Sequence, residues 1–121
     1  HQASHTDVMP DAIRSVDVVA MPSRWEACGL LAMETLTAGV PLVGTSCVGL
    51  NEVLRDTPAY VAPPRDPEKI AQALVTAIRN GPDEFKHFQS AAKTRFSVER
   101  PAQALRQLYE RLGASSSFGE A

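Results

Sequence analysis

Short apolar runs closed by proline or glycine alternate with stretches of helical periodicity, and that alternation confines the chain to few folds. Val18-Val19-Ala20-Met21-Pro22 reads as the core of a buried strand over 17–21, with second and third strands predicted over 41–45 and 59–62 and closed by Gly44 and by Pro63-Pro64. Helices are predicted over 10–16 before the first strand, over 29–38 after it, and over 50–55 after the second; Gly39-Val40-Pro41 stops the middle one. Strands separated by helices imply a parallel sheet with right-handed crossovers. Beyond the third strand, Asp66 as N-cap, Pro67 at the first helical position and Glu68 in the first turn open a fourth helix. In it Ile70, Leu74, Val75 and Ile78 recur until Gly81. Pro82 opens a fifth with Phe85, Phe88, Ala92 and Phe96, and Ser97 caps a last one with Leu105, Leu108, Tyr109 and Leu112. Each of these apolar stripes is read as a core face. The expected organisation is one domain over 1–112 and a disordered tail over 113–121.

In parallel sheets of this kind ligands bind beyond the carboxyl ends of the strands. Three loops leave those ends, at 22–28, 46–51 and 63–66, and the first leads into Glu26-Ala27-Cys28-Gly29-Leu30-Leu31-Ala32-Met33-Glu34. Glu26 falls in the loop and Glu34 about a turn and a half into the helix. Between them the first amides of the helix, around Gly29, Leu30 and Leu31, have no intrahelical acceptor. The pattern suits a ligand with an anionic middle and hydroxyls at both ends, such as a nucleotide-sugar: amides and helix dipole face the phosphates, and the carboxylates accept from hydroxyls. Glu34 has Leu30, Leu31, Thr37 and Ala38 as its helical neighbours, and a carboxylate buried on so apolar a face costs several kcal/mol without partners. Plainer readings stand beside these, a Glu34 emerging at a helix edge and a Glu26 solvated in its loop.

The rest of the composition excludes more than it assigns. With 14 acidic and 12 basic residues and a net charge of −2, the chain lacks a nucleic-acid footprint. Arg95, Arg100, Arg106 and Arg111 are interleaved with Glu99 and Glu110 and read as a solvated helix face. No apolar run is long enough to cross a bilayer, and no signal peptide is expected. Cys28 and Cys47 lack a redox or zinc spacing, and the 3 histidines form no metal set, with His1 and His5 at the terminus. A reducing, cytoplasmic setting and no metal site are expected.

Over 17–112 the chain resembles the C-terminal half of family 4 (group 1) glycosyltransferases, which have two facing Rossmann-like domains, the GT-B fold. Asp17-Val18-Val19-Ala20-Met21-Pro22-Ser23 is followed by Glu26 through Glu34, matching the family's E-x7-E signature. Thr37-Ala38-Gly39-Val40-Pro41-Leu42-Val43 is similar to its "AxGxPVV" stretch, and Gly49, Glu52 and Val53 to the following loop and helix. Residues 61–67 with Ile70, Ala73 and Leu74 resemble the closing "PP-x-D-P" turn and helix, and Tyr109-Glu110-Arg111-Leu112 the final helix. The loop Pro22-Ser23-Arg24-Trp25-Glu26-Ala27-Cys28-Gly29-Leu30 also resembles that of bacterial glycogen synthases. The chain departs from the family in having Val48-Gly49 where a double glycine is common, and the family's upstream basic pair is absent from it.

The resemblance implies a Rossmann-like α/β sheet with flanking helices, an incomplete GT-B C-terminal domain, from a larger protein whose N-terminal domain holds the acceptor. It implies retaining transfer of a hexose from a nucleotide diphosphate donor (a UDP-, GDP- or ADP-sugar) to a glycan, lipid or small molecule, with no required metal or other cofactor. Glu26 becomes the catalytic residue, acting by position and charge on the sugar hydroxyls rather than as a nucleophile. Glu34 holds the ribose, the amides of Gly29, Leu30 and Leu31 face the diphosphate, and Ser23 and Arg24 complete the donor site, with Trp25 as a wall. Cys28 and Cys47 are expected to pack along the same edge. Peripheral membrane contact of the full protein, no nucleic acid, and a homodimer of this piece through its sheet edge complete the expected partners. Two readings from other classes remain open at the level of sequence: a non-catalytic Rossmann-like module that binds a nucleotide or a protein, and a purely structural domain.

Overall fold

The computed structural model describes residues 7–113. The parallel sheet forms as the alternation requires. Strands β1 (Val19–Met21), β2 (Leu42–Thr45) and β3 (Tyr60–Ala62) lie in the order β1-β2-β3, with Val19 opposite Leu42 and Val43 opposite Tyr60. Around them run α1 (Met9–Arg14), α2 (Leu30–Ala38), α3 (Asn51–Leu54), α4 (Pro67–Asn80), α5 (Asp83–Arg95) and α6 (Glu99–Arg111). The result is an α/β sheet of Rossmann-like type, and its predicted elements recur with ends shifted by a residue or two.

Residue chemistry explains the boundaries. The Asp66 carboxylate accepts from the Lys69 amide at 3.0 Å with Pro67 at the first position of α4, so the predicted start is the observed one. Gly39 adopts φ 72° after α2; its amide and that of Val40 donate to the Leu36 and Thr35 carbonyls, ending the helix by a left-handed cap. Ser97 helps start α6 by accepting from the Glu99 amide at 3.1 Å, although Val98 holds the cap position.

The main core joins one face of the sheet to α2, α3 and α5, through Met21, Leu42, Ala32, Leu36, Leu50, Leu54, Phe85 and Ala92. β2 is central and buried at all of its residues, whereas Ala20 on β1 is exposed because α4 packs against β2 and β3. Two expectations about stripes fail. In α4 the fully buried residue is Ala77, while Val75 and Ile78 are exposed and Ile70 and Leu74 half-buried. In α6 no residue is buried, so Leu105, Leu108, Tyr109 and Leu112 are not a core face of this chain. Amphipathic spacing specifies that a face is apolar but carries no information about which surface covers it. The tail expected to be disordered lies outside the described residues apart from Gly113, a turn residue with φ 71°, as do His1 and His5.

Candidate functional site at the carboxyl edge of the sheet

The loops after β1 and β2 are locked together where the strands end. The Glu26 amide donates to the Val48 carbonyl at 3.1 Å, and Gly49 follows with φ 83°. A β-carbon on Gly49 would lie 1.8 Å from the Glu26 carbonyl oxygen, so the two backbones meet where only glycine fits. From the buried end of β2, the Thr45 hydroxyl donates to the Ser23 carbonyl at 2.5 Å, and the Ser23 hydroxyl donates to Glu26 Oε1 at 2.9 Å.

Helix α2 starts beside that lock. Gly29 caps it in the left-handed conformation, φ 64°, packed against Leu50 and Val53. Ala32 is the first residue to donate within the helix, to the Gly29 carbonyl at 3.0 Å, followed by Met33 to the same oxygen at 3.2 Å. The Leu30 and Leu31 amides therefore have no acceptor among the described residues, as expected for the first turn. With no acidic residue in that turn, nothing in the helix itself neutralises the positive end of the dipole.

Glu26 is half-buried and Glu34 is exposed; neither joins an ion pair among the described residues. The burial cost anticipated for Glu34 does not arise, because the side of α2 bearing Leu30 and Glu34 is open, with Leu30 itself 64% exposed. Arg24 is exposed, and Trp25, 68% exposed, encloses nothing within this chain. Cys47 is part of the core while Cys28 is exposed, so the two do not share one packing environment. Cys28 borders a recess of about 300 Å³ with Ala27, Gly49, Glu52 and Arg95. A larger recess of about 540 Å³ sits at the opposite end of the strands, near Val16, Pro41 and Gly81, and neither carboxylate lines it.

Sequence reasoning brought Ser23, Glu26, Gly29, Leu30 and Leu31 to one edge, and the structure places them there. It missed Thr45, whose contact with Ser23 spans 22 residues and leaves no local signal. The pairing of Gly49 with Glu26 is equally long-range, although the glycine itself marked a turn.

Comparison with known proteins gives this geometry its family. The family model "Glycosyl transferases group 1" matches residues 2–80. A lipopolysaccharide core biosynthesis mannosyltransferase of Rhizobium meliloti is 29% identical over 119 residues, covering 89% of this chain and 32% of the relative. A D-inositol 3-phosphate glycosyltransferase of Corynebacterium jeikeium is 31% identical over 112 residues, 88% of this chain and 26% of the relative. A glycogen synthase of Thermus thermophilus is 34% identical over 104 residues, 84% of this chain and 23% of the relative. The chain thus spans a third or less of the length of these relatives. By that match, and by the α/β sheet whose carboxyl edge bears the paired glutamates, the chain belongs to the group 1 glycosyltransferases.

Proposed function

We propose that this chain is the donor-binding half of a retaining hexosyltransferase, and that the carboxyl edge of its sheet receives a nucleotide diphosphate sugar. The observation that carries the reading is the start of α2, where open Leu30 and Leu31 amides lie between two carboxylates free of ion pairs among the described residues. Those amides and Gly29 face the diphosphate. Glu34 accepts from the ribose hydroxyls and Glu26 from the hydroxyls of the transferred hexose, while Ser23 and Arg24 border the donor. The similarity to a mannosyltransferase and a glycogen synthase supports a hexose as the group transferred, to a glycan, lipid or small molecule held by a part of the protein that this chain does not include.

In the transfer, the bond between the sugar's anomeric carbon and the diphosphate oxygen breaks, and its electron pair leaves on the phosphate. The acceptor oxygen forms its bond to the same carbon on the same face and passes its proton to the leaving phosphate. Glu26 orients the hexose and stabilises positive charge developing on its ring; it forms no covalent intermediate. No residue of this chain is assigned to a metal ion. Ligand-observed NMR with UDP-, GDP- and ADP-sugars tests the reading. One nucleotide class is expected to bind this chain and to be weakened by about tenfold with Glu34→Ala; binding unchanged by that substitution would refute the assignment of Glu34.

A further inference from the structure

The two carboxylates at the site are held very differently. Glu34 has no hydrogen bond from a side chain among the described residues, whereas Glu26 is hydrogen-bonded at its amide, packed close at its carbonyl and hydrogen-bonded at its carboxylate. The first two contacts come from Val48 and Gly49 in the loop after β2. The third comes from Ser23, whose own carbonyl is tied to the fully buried Thr45 at the end of the same strand. A relay thus runs from the rigid centre of the sheet, Thr45 Oγ1 to Ser23 O and Ser23 Oγ to Glu26 Oε1, and sets the rotamer of one carboxylate only.

A serine hydroxyl has one proton to give, and here it is given to Oε1. Oε2 and the second lone pair of Oε1 stay available to hydroxyl donors. A carboxylate held in advance loses less side-chain freedom on binding than one that must be ordered by the ligand. From this we infer that Ser23 and Thr45 are positioning residues for Glu26, and that Ser23 acts on the hexose through that carboxylate instead of touching the nucleotide. The inference rests on the donor-binding reading above and goes beyond it by naming the residues that hold Glu26 in place. A pre-oriented carboxylate meets the sugar, and an unrestrained one meets the ribose.

The test compares each nucleotide-sugar with its own nucleotide. UDP-glucose, GDP-mannose and ADP-glucose are titrated beside UDP, GDP and ADP against the unaltered chain, Ser23→Ala, Ser23→Thr, Glu26→Ala and the Ser23→Ala/Glu26→Ala double variant. Ser23→Ala is expected to weaken the nucleotide-sugar by about tenfold, the scale of a hydrogen bond to a charged group, and to leave the bare nucleotide unchanged. Ser23→Thr keeps the hydroxyl and restores binding, and the double variant loses no more than Glu26→Ala alone. Thr45→Val, which removes the other hydroxyl of the relay, gives the same selective loss and serves if Ser23→Ala does not fold. Equal weakening of nucleotide and nucleotide-sugar by Ser23→Ala, or additive losses in the double variant, would overturn the positioning role while leaving the donor site standing. Failure of the unaltered chain to bind any of the six compounds would overturn both.

Discussion

Glu26 and Glu34 are the same residue type at two ends of one motif, yet Glu26 is half-buried and accepts from Ser23 while Glu34 is exposed. On the proposed reading, Glu34→Ala weakens the bare nucleoside diphosphate and the nucleotide-sugar alike, each by about tenfold, because the ribose belongs to both. Glu26→Ala weakens only the nucleotide-sugar. Isothermal titration with the two ligands checks this, and a Glu34→Ala effect confined to the sugar-bearing form would reverse the assignment. Gly49 supports Glu26 in a way no side chain could. Its φ of 83°, and a backbone oxygen only 1.8 Å from where a β-carbon would sit, leave no room for a side chain, so Gly49→Ala should destabilise the chain by about 3 kcal/mol or more. A urea unfolding curve measures that; a midpoint near the unaltered one would mean that the two loops can part at little cost.

Among the elements, α2 is tied to its neighbours by its ends and by its buried face. Gly29 and Gly39 set its first and last turns, Leu36 and Ala32 enter the core, and Gln89 of α5 donates to the Thr37 carbonyl at 2.9 Å. The short α3 is held from outside. Arg95 donates to the Arg55 carbonyl at 2.6 Å and to the Glu52 carbonyl at 3.1 Å, and its guanidinium stacks 5.1 Å from the centre of the Phe96 ring. A cation suits the carbonyl end of a helix. Arg95→Ala removes both donors and should lower stability by about 1 kcal/mol, read as an earlier urea midpoint at unchanged slope. The cap of α4 was legible because Asp66 and Pro67 act on their own helix. The cap of α3 was not, since Arg95 lies 40 residues from the carbonyl it serves.

At the scale of the molecule, three strands among the described residues leave β1 and β3 as edges, and no residue of the apolar stripe of α6 is buried. Leu112, 72% exposed, and Leu105, 52% exposed, contribute little to the stability of this chain by burial. Leu112→Glu should therefore shift the unfolding free energy by no more than about 0.5 kcal/mol, measured in urea. A large loss would show that the stripe packs on the domain in solution. Among the described residues no helix is long and apolar enough to cross a membrane.

Local chemistry wrote the order of strands and helices, the caps at Asp66 and Gly39, and the placing of Ser23, Glu26 and Gly29 on one edge. A proline, a glycine or an N-cap acts within a few residues, and parallel crossovers then put every βα loop at the same end of the sheet. Tertiary structure alone decided that Glu34 is exposed, that no residue of α6 is buried, and that Thr45, Gly49 and Ser23 surround Glu26. Periodicity marks which face of an element is apolar, whereas what covers that face, and which distant hydroxyl reaches a carboxylate, is settled only when segments remote in sequence are packed together.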